Sequence, residues 1–267
     1  DDDDDDSDGS GDNSDSGVMY VAGYCKNVSG VKVAGYWKDG EWVSLTGIDA
    51  SKDSEVYEIK VVNNEIYFFG YSRNSAGYNV AGYWKGGVWN AFSLPAGATN
   101  SYYGDIVVYD GDMYVAGYYV DSSYKSFGGY WKNSAWTALP SPAGATSVGS
   151  GSLIISGGDI YISGYYMDSS SKYYPGYWKN SSWVNLTIPS GAVSGSTSSL
   201  LISDGVIYVL GYYYDSSYKN FPGYWKDGVW TSLSAPDGSI SESTIQLVIS
   251  GDMYIIGSYY DSSYNSF

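Results

Sequence analysis

The sequence predicts an all-β protein, a β-propeller of four-stranded antiparallel blades, on three observations. The tetrapeptide Gly-Tyr-Trp-Lys recurs at 35–38, 82–85, 129–132, 176–179 and 223–226, always 47 residues apart. A second Trp keeps the same step (Trp42, Trp89, Trp136, Trp183, Trp230), and so does a strand Tyr (Tyr20, Tyr67, Tyr114, Tyr161, Tyr208), with Tyr254 one residue short of it. Within each copy, short apolar or alternating runs are separated by turn residues at close intervals, with no helical periodicity. Repeats of 20–50 residues mean a solenoid, a propeller or an array, and four short strands per repeat select the propeller.

One copy justifies its elements in order. Leu200–Ser203 reads as a short apolar strand, and Asp204-Gly205 as a tight hairpin turn. Val206–Tyr213 is a second strand, apolar or aromatic on both sides of its alternation, which fits a sheet covered on both faces. Its recurring Gly (Gly23, Gly70, Gly117, Gly164, Gly211, Gly257) marks close approach of another backbone. Asp215–Asn220 is a longer polar loop, Phe221–Lys226 a third strand, Asp227-Gly228 a second tight turn and Val229–Leu233 a fourth strand. Neighbouring rings of the Tyr-Trp pair point to opposite faces of their strand, so blade-to-blade packing accounts for them. The Lys after them is expected at a solvated end, lying over an aromatic ring.

The repeats fall near 18–46, 57–94, 103–139, 152–188 and 199–235, with a partial copy at 243–267. The first copy lacks a first strand, and the last stops before its GYWK. A five-bladed ring could close if 245–250 paired with the first copy. The expectation adopted is that the natural protein continues to six or more blades, because an open ring leaves sticky edges.

Composition excludes several functions. The 267 residues carry 13 Lys+Arg against 29 Asp+Glu, a net charge of −16, with no His and one Cys. A His base, a His-ligated metal and a disulfide framework are ruled out, and a basic nucleic-acid surface is disfavoured. No apolar run approaches the ~18–20 residues that span a bilayer, so no transmembrane segment is expected. Residues 1–17 hold nine Asp and no apolar residue, more than half of the net charge. Such a block cannot collapse and reads as a disordered acidic tether. The chain begins with Asp and shows no signal peptide, so the front is expected to have been processed away or left out.

The pattern of apolar strand, D-G, I-Y-V-x-G, loop and G-Y-W-K-D-G-x-W-x-x-L resembles a kelch-type propeller repeat over residues 18–267, with Gly-Tyr where kelch repeats carry Gly-Gly. It is more similar still to the YWKNG-type repeats of uncharacterised bacterial surface proteins and lipoproteins. That resemblance implies export and an extracellular or cell-surface location, with membrane attachment only through a lipid anchor upstream of this chain.

Alternating strand direction puts the long loops on one end and the tight turns on the other, and binding residues sit preferentially on longer loops. One loop set is Asp121-Ser122-Ser123-Tyr124-Lys125, Asp168-Ser169-Ser170-Ser171-Lys172, Asp215-Ser216-Ser217-Tyr218-Lys219 and Asp261-Ser262-Ser263-Tyr264; the other follows Pro95, Pro142 and Pro189. Carboxylates, hydroxyls and Tyr suit sugars, which makes Asp121, Ser122, Tyr124, Asp168, Ser169, Asp215, Ser216 and Tyr218 the candidate ligand residues. Against this, Asn27 and Asn74 hold the position of the aspartates, as an Asx turn would. Cys25 aligns with Ser72 and Tyr119 and is no dedicated nucleophile. Glu55, Glu58 and Glu65 have no repeated counterparts, and a carboxylate pair among them could serve a glycan hydrolase. The preferred expectation is a non-enzymatic binder or scaffold for glycans or surface proteins, with no cofactor and no metal. The hydrolase and a structural spacer are the alternatives.

Overall fold

The computed structural model describes residues 17–234, 237, 239–250 and 252–261. The acidic segment 1–16 and the last loop, 262–267, lie outside the described residues, so the tether and the fourth Asp-Ser-Ser loop stay as sequence expectations.

Among the described residues there are 21 strands in six antiparallel sheets. The first holds β1 (Tyr20–Lys26), β2 (Lys32–Lys38) and β3 (Glu41–Ser44). Four complete sheets follow in sequence order. They are β4 (Ser54–Val62) to β7 (Val88–Ala91), β8 (Ala98–Tyr109) to β11 (Ala135–Ala138), β12 (Ser147–Ser156) to β15 (Ser182–Asn185), and β16 (Ala192–Ser203) to β19 (Val229–Ser232). Within them, second strands are β5 (Glu65–Arg73), β9 (Asp112–Asp121), β13 (Asp159–Met167) and β17 (Val206–Asp215), and third strands are β6 (Asn79–Lys85), β10 (Ser126–Lys132), β14 (Tyr173–Lys179) and β18 (Asn220–Lys226). The last sheet pairs β20 (Ser239–Ser250) with β21 (Asp252–Asp261). The pairing of 245–250 with the first copy is therefore not what forms: that segment is committed to β21, and β1 pairs with β2.

First strands of successive sheets lie side by side, β8 with β12, β12 with β16 and β16 with β20, and each also packs on the preceding sheet. Fourth strands chiefly contact their own third strands. Sheets arranged this way have their first strands inside and their fourth strands outside, as in propeller blades.

Two glycine columns are explained by close approach. A Cβ on Gly117, Gly164 or Gly211 would stand 2.2–2.3 Å from a first-strand carbonyl oxygen. A Cβ on the GYWK glycines Gly35, Gly129, Gly176 and Gly223 would stand 2.3 Å from the ring of the fourth-strand Trp, which lies flat across that strand. The turns are as expected. Asp39, Asn133, Asn180 and Asp227 take positive φ (46–55°), and each side-chain oxygen accepts the backbone N–H of Met19, Met113, Ile160 or Ile207 at 2.9–3.0 Å.

First strands are longer than the sequence suggests. Residues 98–100, expected in a loop, begin β8, and β12 and β16 likewise start several residues early. At β8 Thr99 explains this, because its hydroxyl donates to the carbonyls of Val120 and Asp121 at the end of β9, and Thr146, just before β12, does the same to Met167 and Asp168; β16 has Val193 at the matching position and no hydroxyl there. A bulge then keeps the longer strand in register: the pairing skips at Tyr57, at Gly104 and at Ser198, on the 47-residue step.

The core is a set of clusters between sheets. Trp84, Trp131, Trp178 and Trp225 are fully buried, each against apolar residues of the preceding sheet, such as Leu45 for Trp84 and Leu139 for Trp178. Their indole N–H groups donate to the carbonyls of Thr46, Ser93, Pro140 and Thr187 at 2.7–3.1 Å, always 38 residues earlier. The GYWK Tyr packs the other way, as Tyr36 does on Phe68 at 4.2 Å between ring centres. Trp37, with no sheet before it in the described residues, is only half-buried. Trp178→Phe, which removes ring volume and leaves the Pro140 carbonyl without its donor, is expected to cost about 2–3 kcal/mol. Trp37→Phe should cost under about 1 kcal/mol. Urea unfolding of the two variants side by side checks both.

Candidate functional site

The eight loop residues predicted as ligand contacts stay in three separate hairpin loops, each on its own sheet. Oδ1 of Asp121 accepts the N–H groups of Ser123 and Lys125 at 2.8 and 3.0 Å. Asp168 and Asp215 repeat the pattern with Ser170 and Lys172, and with Ser217 and Lys219. Asn27 does the same for Ser29 and Val31. These carboxylates close turns, which is why Asn substitutes for Asp there. The N–H donors hold the Asp168 carboxyl below its usual range, the bond from Lys172 first, and the Tyr174 hydroxyl donates to its other oxygen at 3.0 Å. Tyr124 and Tyr218 sit at positive φ and are 89% and 83% exposed, and Ser122, Ser169 and Ser216 are exposed. None of the eight lines the cavities described next.

Those cavities lie at the same end as the long loops, in crevices where the second and third strands of one sheet meet the first strand of the next. Between the fourth and fifth sheets is a cavity of about 330 Å³ lined by Tyr165, Tyr173, Ser194, Gly195, Ser196, Tyr212 and Tyr214. Tyr165 and Tyr173 meet edge to face at 5.3 Å, and so do Tyr212 and Tyr214. Each sheet thus supplies one tyrosine pair to the wall. The floor is fixed by Ser194, whose hydroxyl accepts the Tyr173 N–H at 2.9 Å and donates to the Tyr173 carbonyl. Burial pushes the Tyr165 phenol up to about 12 and raises Tyr214 as well, so both remain neutral at physiological pH. The wall therefore offers aromatic faces and uncharged hydroxyls, the combination that grips sugars.

The crevice between the second and third sheets, two repeats earlier, is smaller, about 80 Å³. Its walls include Tyr71, Asn79, Ser101 and Tyr102, at or beside the positions of the larger one. Sequence reasoning missed these crevices by treating aromatic strand residues as core. One signal was present: the column Tyr24, Tyr71, Tyr118, Tyr165, Tyr212 is Tyr in the first five second strands, with Ser258 in the sixth. That constancy sits at the loop end, where the core no longer needs it.

Each of the three glutamates is engaged by a lysine. Glu55 is buried, paired with the Lys32 ammonium and accepting the Tyr71 hydroxyl at 2.6 Å. This bond raises the Lys32 ammonium and, with burial, pushes the Tyr71 phenol well above its usual range. Glu58 pairs with Lys60 at 2.8 Å and Glu65 with Lys85 at 2.5 Å. Lys85 also lies over the Tyr67 ring at 5.1 Å, as Lys132, Lys179 and Lys226 lie over their own strand tyrosines, so these four GYWK lysines are where the sequence expects them.

No protein-family model matches the chain, and no curated protein matches it. Solved structures do. A fucose-specific lectin from Aleuria aurantia superposes with a TM-score of 0.52 at 15% identity, covering 93% of this chain and 90% of the lectin. Another structure of that lectin, described as a six-bladed β-propeller with a novel fucose recognition mode, gives 0.51 at 14% identity over 92% of this chain and 85% of the lectin. At these identities the likeness establishes the architecture, and the chain shares the β-propeller fold. A thermostable family-43 glycoside hydrolase superposes at only 0.41.

Two outcomes follow from the site's chemistry. Asp215→Asn should be nearly neutral and Asp215→Ala should cost about 1 kcal/mol, measured by urea unfolding, because only the second empties the turn acceptor. Buried phenols hold their protons more tightly in the fold than in the unfolded chain, where Tyr titrates near about 10. Melting temperature should therefore stay level up to about pH 10 and fall as pH climbs towards 12.

Proposed function

We propose that the chain is a non-enzymatic glycan-binding propeller, held at a cell surface, and that sugar enters the crevices between blades at the long-loop end. The observation that carries this reading is the roughly 330 Å³ crevice with four tyrosines and two serines in its wall. Its volume lies at the lower end of the ~300–1,000 Å³ typical of small-molecule sites, which suits one sugar unit. The lectin neighbours carry fucose specificity in their names, which makes a fucoside the first ligand to try. The lysine pairing of Glu55, Glu58 and Glu65 supports binding over hydrolysis. The acidic segment and the resemblance to bacterial surface repeats support display outside the cell, with kinship to those repeats as part of the same reading.

The test is a glycan array probed with the purified chain, beside a version lacking residues 1–17, a Tyr165→Ala/Tyr212→Ala variant and an Asp121→Ala/Asp168→Ala/Asp215→Ala variant. Binding to one sugar class is expected to survive loss of the tail and of the three aspartates, and to drop tenfold or more without the two tyrosines. Affinity should be flat from about pH 5 to 9, since the crevice wall holds no carboxylate, imidazole or amine. Silence across the array by a chain shown to be folded would sink the glycan reading and leave a spacer or a protein scaffold.

A further inference from the structure

The repeat makes it possible to compare crevices position by position, and the comparison separates them sharply. The wall of the open crevice, Tyr165, Tyr173, Ser194, Gly195, Ser196, Tyr212 and Tyr214, corresponds three repeats earlier to Tyr24, Lys32, Asp53, Ser54, Glu55, Tyr71 and Arg73. Four uncharged residues have become four charged ones. In the first crevice all four are engaged with one another, Lys32 across the gap between sheets and Arg73 with Asp53 within the second sheet. Lys32 reaches from β2 to Glu55 on β4. The Lys32 N–H donates to Asp53 at 3.0 Å, and Arg73 pairs with the other Asp53 oxygen at 3.3 Å. Lys32 also covers the Tyr24 ring at 4.5 Å, and Tyr71 turns its hydroxyl onto Glu55. The tyrosine faces that line the open crevice are here occupied by the protein's own cation and carboxylate.

The second crevice shows an intermediate state. Asn79 stands in place of Lys32 and accepts the Arg73 guanidinium at 2.9 Å, while Tyr102 stands in place of Glu55 and stacks on Tyr118 at 5.1 Å. What remains, about 80 Å³, is room for two or three waters. In the third, Met167 replaces Tyr214, and the Tyr165 ring leans over Gly149, where a Cβ would meet it at 2.6 Å. The positions that are Tyr173 and Ser196 in the open crevice are Lys32 and Glu55 in the closed one.

Resting on the glycan reading above, we infer that, of the four crevices compared, the one between the fourth and fifth sheets is the ligand site, that it takes an uncharged sugar unit, and that the first crevice is the same site held shut by the Lys32–Glu55 pair. The charge argument is direct. A uronic or sialic acid brings a carboxylate that needs a cation, and the open wall has none, in a chain whose net charge is −16. A neutral pyranose asks only for hydroxyl partners and an aromatic face.

The experiment is calorimetric titration of the chain with methyl α-L-fucoside, with methyl β-D-glucuronide and N-acetylneuraminic acid as charged probes, together with whichever neutral glycoside the array selects. One site per chain is expected, with the charged sugars at least tenfold weaker. Two reciprocal exchanges then test the shutter. Lys32→Tyr/Glu55→Ser should raise the stoichiometry from one to two, and Tyr173→Lys/Ser196→Glu should abolish binding. Melting temperature confirms that each variant is folded, and either exchange suffices if the other does not fold. Equal affinity for charged sugars, more than one site in the parent chain, or unchanged stoichiometry in both exchanges would overturn the inference while leaving the glycan reading in place. A folded parent that binds no sugar on the array would remove the glycan reading itself, and this inference with it.

Discussion

The indoles of Trp84, Trp131, Trp178 and Trp225 each join one sheet to the one before it, and the rest of the structure depends on that join. Single antiparallel sheets of four short strands have two apolar faces and little independent stability. Trp131 resolves this by inserting its whole ring against Ala81 and Phe92 of the preceding sheet, and by giving its one polar atom a fixed partner there, the Ser93 carbonyl. A buried N–H without that partner would oppose the packing that puts it there. The paired Tyr extends forward as the Trp extends back, so adjacent residues on one strand engage two different neighbours. Everything else in the repeat makes space for this ring or fixes the backbone around it: the GYWK glycine under the fourth-strand Trp, the second-strand glycine against the first strand, and the Asx-type hairpin turns.

This is why the architecture was legible in the sequence. Residues that serve a join present in every repeat must recur in every repeat, so Gly-Tyr-Trp-Lys, the Asp-Gly turns and the strand order could be read by alignment of the chain with itself. The early start of β8 and β12 was not legible, because it comes from single hydroxyls, Thr99 and Thr146, bonding to carbonyls of a neighbouring strand rather than from a hydrophobic pattern. The aspartates of the long loops carried a visible chemistry but a local job, and Asn27 in the same position was the clue to it. The crevices were hidden for a different reason: a cavity between sheets is made of residues about 20 to 50 positions apart, and its walls include tyrosines that look like core.

The variation among crevices follows from the same geometry. Columns that serve the join cannot change without stranding an indole or a carbonyl. Columns at the loop end of the first, second and third strands face the gap between sheets and are free of that duty. That freedom is where the copies diverge, from the charged set around Glu55 to the uncharged set around Ser196. The buried carboxylate is tolerated at the first gap because Lys32 and Tyr71 both address it, which a buried charge requires.

The indole-to-carbonyl bond has one more consequence, and it concerns inheritance. Donor and acceptor are always 38 residues apart, within a repeat of 47. A recombination event that adds or removes one whole repeat, wherever it cuts, restores every donor to an acceptor at the same separation. An event of any other length leaves a buried indole facing the wrong backbone. Such a chain can change its number of blades in one genetic step without relearning how to fold, and it can do so only in whole units.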